Sequence, residues 1–242
     1  MSKNNSNPVS MTNRGQEPDF GPWSKYMPII LVGVVLIVFG ILFGPELMSP
    51  KYTPTGVTGI SMLEKDGHWN VKAAEKTLKS STAPEIIGAG VWITESTGKS
   101  LLLSTGEKKF EGCESLAFEG NLYYPRKGGM KGMYDASYKE VYPIAYKNFA
   151  PADDYFILLA EGYGIGDKAG KVIIAPNLKY KKVGFLTASD QKLIQMEKET
   201  GAFDIYKTDG TIFVEDVKEP KVDKANLRYK DSRNRNQTKA IK

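Results

Sequence analysis

The chain has 242 residues, 41% hydrophobic, 25% charged and 11% aromatic, proportions that exclude a disordered polymer and a multi-spanning membrane protein. Its 33 Lys and Arg against 28 Asp and Glu give +5, but nine basic and three acidic side chains lie from Lys218 onward, so the remainder is near neutral and lacks the concentrated positive face of a nucleic-acid-binding body. One His and one Cys exclude a cysteine zinc cluster, a multi-His metal site, an internal disulfide and a CxxCH haem attachment.

Residues 1–22 are rich in Asn, Ser, Pro and Gly and are expected to form a disordered tail. The run PIILVGVVLIVFGILFG, from Pro28 to Gly44, carries no charge. Counted as helix from Trp23 to Phe43 it spans about 30 Å at ~1.5 Å per residue, the thickness of a hydrocarbon core, so 23–45 is expected to be a transmembrane anchor. Trp23 and Tyr26 stand at one end, where amphipathic rings favour the headgroup layer. Gly33 and Gly40 thin the helix surface, and Gly40 and Gly44 have the GxxxG spacing that lets helices approach closely. A cleaved signal peptide would have a shorter core and a small-x-small site, which the following PELMSPKYTP does not supply. Arg14 and Lys25 precede the run and Lys51 follows it, a bias toward a cytoplasmic N-terminus and an extracytoplasmic body.

Residues 46–84 read as a Pro-stiffened linker with one short helix, since Asn70 can cap a segment in which Val71, Ala74 and Leu78 fall at i, i+3 and i+7. Residues 85–217 read as β-rich. Expected strands are IIGAGVWITE and KSLLLSTG around a turn at Ser96 to Gly98, then FEGCESLAFEG, NLYYP, YFILLAE, KVIIA and YKKVGFLT. Residues 125–139, with Gly128, Gly129 and Gly132, read as a mobile loop. A second helix is expected over DQKLIQMEKET, capped by Ser189 and ended by Gly201. FDIYK and TIFVEDV flank Asp209-Gly210, the signature of a two-residue type I′ hairpin. Residues 218–242 read as a basic disordered tail, and no internal repeat is apparent.

The fold class this implies is one N-terminal transmembrane helix followed by a mainly-β (α+β) domain, an antiparallel small sandwich or barrel with one or two short helices. Chemistry is sparse. Gly162, Gly164, Gly166 and Gly170 fit neither a dinucleotide fingerprint nor a Walker loop, because Asp167 and Val172 stand where those motifs require Gly and Ser or Thr. His68 lies in a turn beside Asp66 and Trp69 with nothing to complete a triad, and Cys113 sits between Glu111 and Glu114, which disfavour a thiolate. Glu111, Glu114, Glu119 and the Asp153-Asp154 pair fit solvent-facing strand and turn positions better than paired acids.

Tyr123, Tyr124, Tyr134, Tyr138, Tyr142 and Tyr146 gather around the 125–139 segment and suggest a protein contact surface. The expected function is therefore a single-pass, membrane-anchored accessory subunit of a larger membrane complex, non-catalytic, with integral membrane subunits and the bilayer as partners, and no cofactor, metal or nucleic acid. A ligand- or envelope-polymer-binding module rimmed by 125–139 and 162–170 is the alternative, although a small molecule ranks below a protein partner. An anchored hydrolase using carboxylates comes third.

Overall fold

The computed structural model describes residues 32–39, 41, 51–188 and 191–241. Two compact units divide it, residues 1–51 and 52–242. In the first, residues 32–39 and 41 are helical. The rest of the expected anchor, including Trp23, Tyr26, Gly40 and Gly44, lies outside the described residues, and among those described no helix is long and apolar enough to cross a membrane.

The second unit is a succession of antiparallel meanders, and within each one every strand pairs with the next in the chain. Sheet I holds β1 (Thr53–Pro54), β2 (Ile60–Lys65), β3 (His68–Ala73) and β4 (Lys76–Ser80). Sheet II holds β5 (Glu85–Ile87), β6 (Gly90–Glu95), β7 (Gly98–Leu103) and β8 (Lys108–Cys113), and sheet III holds β9 (Ser115–Glu119), β10 (Leu122–Lys127), β11 (Met130–Asp135) and β12 (Glu140–Tyr146). Sheet IV is β13 (Asn148–Ala152), β14 (Tyr155–Leu159), β15 (Tyr163–Asp167) and β16 (Val172–Asn177). Sheet V is β17 (Tyr180–Ala188), β18 (Gln191–Lys198), β19 (Phe203–Lys207) and the first part of β20 (Ile212–Asp223); the rest of β20 opens sheet VI with β21 (Asn226–Lys230) and β22 (Asn236–Ala240). Four-stranded up-and-down sheets in sequence are the blade plan of propeller-like arrays.

Apolar cores lie between successive sheets. Val71 and Ala73 meet Val91, Ile93 and Leu102 between I and II, and Trp92 and Leu101 meet Leu116 and Tyr123 between II and III. Met133 and Tyr142 meet Phe156 and Leu158 between III and IV. Ile165 and Ile174 meet Ile194 and Met196 between IV and V, and Ile205 and Phe213 meet Leu227 and Ile241 between V and VI. Adjacent residues such as Val91, Trp92 and Ile93 therefore point to opposite faces, and both faces are buried.

This two-sided burial corrects several expectations. The small sandwich or barrel is instead a row of six sheets, and both short helices are strands. Val71 and Leu78, seven apart, are cross-strand partners around a turn at Ala74, which has φ of 50°. A hairpin with a two-residue turn places such a pair on one face just as a helix does. In β18, Leu193 faces sheet VI while Ile194 and Met196 face sheet IV, so an inner strand apolar on both faces imitated a helix. Gly201 serves as a hairpin residue at φ of 78°, and Ser189 lies outside the described residues. The expected linker holds sheet I, and the expected loop 125–139 is the β10–β11 hairpin turning at Gly128-Gly129. The expected basic tail is sheet VI: Leu227 and Ile241 supply one buried face, which suffices for strands whose other face is wet.

A repeat is present after all. One turn recurs between strands β7–β8, β11–β12, β15–β16, β18–β19, β19–β20 and β21–β22: residue i donates its N–H to the carbonyl of i+4 and accepts from the N–H of i+3, with i at Leu103, Asp135, Asp167, Lys198, Lys207 and Asp231. The first three are 32 residues apart. Position i+3 has positive φ and is filled by Gly106, Tyr138, Gly170, Gly201, Gly210 and Asn234. This is a type I turn with a bulge rather than the expected type I′ turn, and Asp135, Asp167 and Asp231 add Oδ1 as acceptor for the N–H groups of i+2 and i+4.

Tyrosine hydroxyls set on glycines pin sheet III to both neighbours. The Tyr123 hydroxyl accepts from Ala89 N–H at 3.1 Å beside Gly88, and the Tyr142 hydroxyl donates to Asp167 O at 2.6 Å over Gly166. A Cβ at Gly166 would stand 2.0 Å from the Tyr142 oxygen. Gly166→Ala is expected to lower stability by about 1–3 kcal/mol through overpacking, and Tyr142→Phe by about 1 kcal/mol through the lost hydrogen bond. Urea unfolding followed by tryptophan fluorescence measures both.

Candidate functional site

Two constellations combine polar chemistry with enclosure. The first surrounds Asp204 on β19, a carboxylate with no solvent exposure. Its Oδ2 accepts from the Tyr180 hydroxyl at 2.7 Å and faces Lys179 Nζ at 3.4 Å. Its Oδ1 meets Lys198 Nζ at 2.6 Å and accepts from the Asp216 N–H at 3.0 Å. Lys198 also bridges to the Asp216 carboxylate at 2.6 Å. Tyr180 spends its one proton on Asp204, so the Tyr206 hydroxyl donates to Tyr180.

Burial alone would raise the Asp204 carboxyl, but hydrogen bonds from Lys198, Asp216 N–H and Tyr180 prevail and hold it below the usual range. Burial, then the hydrogen bonds to Tyr206 and Asp204, pushes the Tyr180 hydroxyl far up. An acid with both oxygens doubly engaged is poorly placed to take a proton from a substrate. Its task is structural: Asp216 sits inside β20 at φ of 51°, where the strand leaves sheet V for sheet VI, and Asp204 satisfies the N–H freed by that bend.

The second constellation is a cleft of about 460 Å³ between sheets III and IV. On β9 and β10 the pairs Ser115–Arg126, Ala117–Tyr124 and Glu119–Leu122 share the face turned to sheet IV. Ser115 and Ala117 are too small to fill the gap, which leaves the cleft open above Tyr124, Phe149 and Phe156. The Tyr124 and Phe149 ring centroids lie 6.3 Å apart, tilted by 49°. Arg126 stands directly across from Lys131 on β11, and Lys131 Nζ donates to Asn148 Oδ1 at 2.9 Å across the two sheets. Burial, then the Glu119 charge, raises the Tyr124 hydroxyl, so the ring is neutral at physiological pH.

The six tyrosines expected to form a contact surface divide. Tyr123, Tyr142 and Tyr146 are buried in the cores on either side of sheet III, Tyr123 and Tyr142 with 1% exposure, while Tyr124, Tyr134 and Tyr138 are half-buried against those cores. Tyr138 occupies the positive-φ turn position and stacks on Tyr123 with centroids 5.1 Å apart, and Tyr134 donates to Glu140 at 3.0 Å; burial, then that hydrogen bond, lifts the Tyr134 hydroxyl to about 12. Gly33 lies in the helical segment with open space beyond it.

His68 is exposed after a two-residue turn in which Asp66 and Gly67 both have positive φ. Cys113 is buried at the end of β8, and burial raises its thiol despite Lys127. Glu111 and Glu114 are exposed, with Glu114 accepting from Gly128 N–H, and Asp153 pairs with Lys192 at 3.0 Å. Gly162 and Gly164 allow β15 to approach the backbone of residues 176–178, so they serve close packing, and only Gly170 is a turn residue. Among the described residues no group of three or more His, Cys, Asp or Glu is placed to hold a metal ion. The sequence reading missed both Asp204 and the cleft.

No family model matches the sequence and no curated protein matches it. Among solved structures the chain is similar to the computationally designed Ika8 protein at 11% identity, over 78% of this chain and 70% of that one, with a TM-score of 0.28. It is similar to Hsv2p of Kluyveromyces lactis at 7% identity, over 80% and 74% of the two chains, with a TM-score of 0.30. It is also similar to BamB of Moraxella catarrhalis at 12% identity, over 74% and 79%, with a TM-score of 0.26. The blade plan therefore rests on the strand order itself.

Asp204→Asn is expected to cost about 1–3 kcal/mol by weakening the charge-assisted hydrogen bonds from Lys198 and the Asp216 N–H, Lys198 keeping its pair with Asp216. Because the folded carboxyl is depressed, its contribution is present above about pH 4 and is lost as pH falls. Urea unfolding between pH 3 and 7, a range of roughly one unit below to three above the usual carboxylate pKa, is expected to show a steeper acid decline for the native chain than for the variant.

Proposed function

We propose that this chain is a bilayer-anchored, single-pass, non-catalytic accessory subunit whose β-sheet array lies beside an integral membrane assembly. One observation carries the reading. Residues 32–39 and 41 are helical, and their side chains are almost all large and apolar yet open to solvent, Leu36 by 65% and Ile41 by 69%. Each such side chain favours removal from water by about 1.5–3 kcal/mol, so a helix of this composition demands cover from lipid or from other helices. The uncharged run extends from Pro28 to Gly44, long enough for the first, and Gly40 and Gly44 suit the second.

The sheet array supports a scaffolding role, because stacked meanders present long rigid edges to a partner. The charges flanking the apolar run favour an extracytoplasmic body. Alkaline carbonate is expected to leave the full chain in the membrane pellet, a chain lacking residues 28–44 is expected in the supernatant, and crosslinking in native membranes is expected to join the array to integral membrane proteins. Release of the full chain by carbonate, or a strictly monomeric protein that crosslinks to no membrane protein, overturns the reading.

A further inference from the structure

We propose that the cleft between sheets III and IV binds a small molecule that carries one anionic group, phosphate or carboxylate, on a flat apolar ring. The cation end is the first support. Arg126 and Lys131 face each other across β10 and β11, an arrangement of like charges that weakens a sheet. Among the described residues neither has a carboxylate at ion-pair distance, whereas Lys108, Lys192, Lys198 and Lys230 each have one. Lys131 is instead steadied by the neutral Asn148 oxygen, which keeps its charge uncompensated at the cleft. A bound anion removes the repulsion and accepts the forked donors of Arg126.

The floor is the second support. Tyr124, Phe149 and Phe156 offer ring surface under the space left by Ser115 and Ala117, and a volume of about 460 Å³ suits a compact ligand. Glu119 lines the same cleft, four residues along β9 from Ser115. At ~3.3 Å per strand residue it stands about 13 Å from the cation end, and its charge repels any polyanion long enough to span the cleft. The site therefore selects a single anion with a ring attached.

The test is titration calorimetry on the full chain in detergent, with phenyl phosphate and benzoate as probes and inorganic phosphate and phenol as controls. At least one aryl anion is expected to bind with a Kd of about 1 mM or tighter. Arg126→Gln and Lys131→Gln are each expected to weaken it about tenfold. Ala117→Phe, which fills the gap, is expected to abolish binding, while the thermal melt shows each variant folded. Tighter binding of phenyl phosphate assigns a phosphate monoester, and tighter binding of benzoate assigns a carboxylate. The proposal is overturned if neither aryl anion binds, if inorganic phosphate binds as well as phenyl phosphate, or if binding survives Arg126→Gln unchanged; should Ala117→Phe fail to fold, the two charge variants decide alone.

Discussion

Burial on two faces governs this molecule. Sheets II to V each carry apolar side chains above and below, as Trp92 and Ile93 or Leu193 and Ile194 show, so none of them can satisfy itself alone. A four-stranded sheet left with one apolar face in water loses what the neighbouring sheet supplied, and the cores between successive sheets couple the row from end to end. Stability is then close to a sum of sheets and contacts between them. Close approach is what makes those contacts effective. Gly166 lets the Tyr142 ring reach a backbone carbonyl that a side chain would screen, and Gly88 does the same for Tyr123 on the other side of sheet III.

The passage from sheet V to sheet VI shows how a break in that regularity is made tolerable. Other sheets are joined by a short link between separate strands, but β20 runs on and serves two sheets with one backbone. It must bend to do so, and Asp216 and Glu219 take positive φ within the strand. Both are L residues with side chains, so the conformation is strained. Asp204 offsets part of that cost by accepting the orphaned N–H, and Lys198 joins both acids into one network. A buried charge would be a liability here if any one of these partners were missing.

The β-rich character, the strands at Gly98–Leu103, Tyr155–Leu159, Val172–Asn177 and Tyr180–Ala188 and a hairpin at Asp209-Gly210 were legible because turn residues punctuate them, whereas IIGAGVWITE and FEGCESLAFEG each hold two strands where one was expected. The helix readings failed where periodicity misleads. A hairpin with a two-residue turn sets one cross-strand pair seven residues apart, as Val71 and Leu78 are, and a strand buried on both sides, as at Leu193 to Met196, loses the alternation that marks a strand. The 32-residue repeat was hidden because its conserved feature is a backbone shape, filled by Leu, Asp or Lys at one position and by Gly, Tyr or Asn at another. The cleft was illegible for a related reason: Arg126 and Lys131 become neighbours only when the hairpin closes, and Phe149 joins them only when sheet IV stacks on sheet III.

The basic C-terminal segment acquires a different meaning in this setting. Register places Lys221, Arg228 and Thr238 together on the face of sheet VI turned away from sheet V, as it places Ser61, Lys72 and Thr77 on the outer face of sheet I. The row thus begins and ends in polar faces, as terminal repeats of an array require. Among the described residues the exposed large apolar side chains are then concentrated in the helical residues 32–39 and 41, with Ile86, Val172, Leu178 and Ile212 exposed in the sheet array. Among the described residues most of the array's apolar side chains are covered by neighbouring sheets, and the uncovered large apolar side chains are concentrated in that helix.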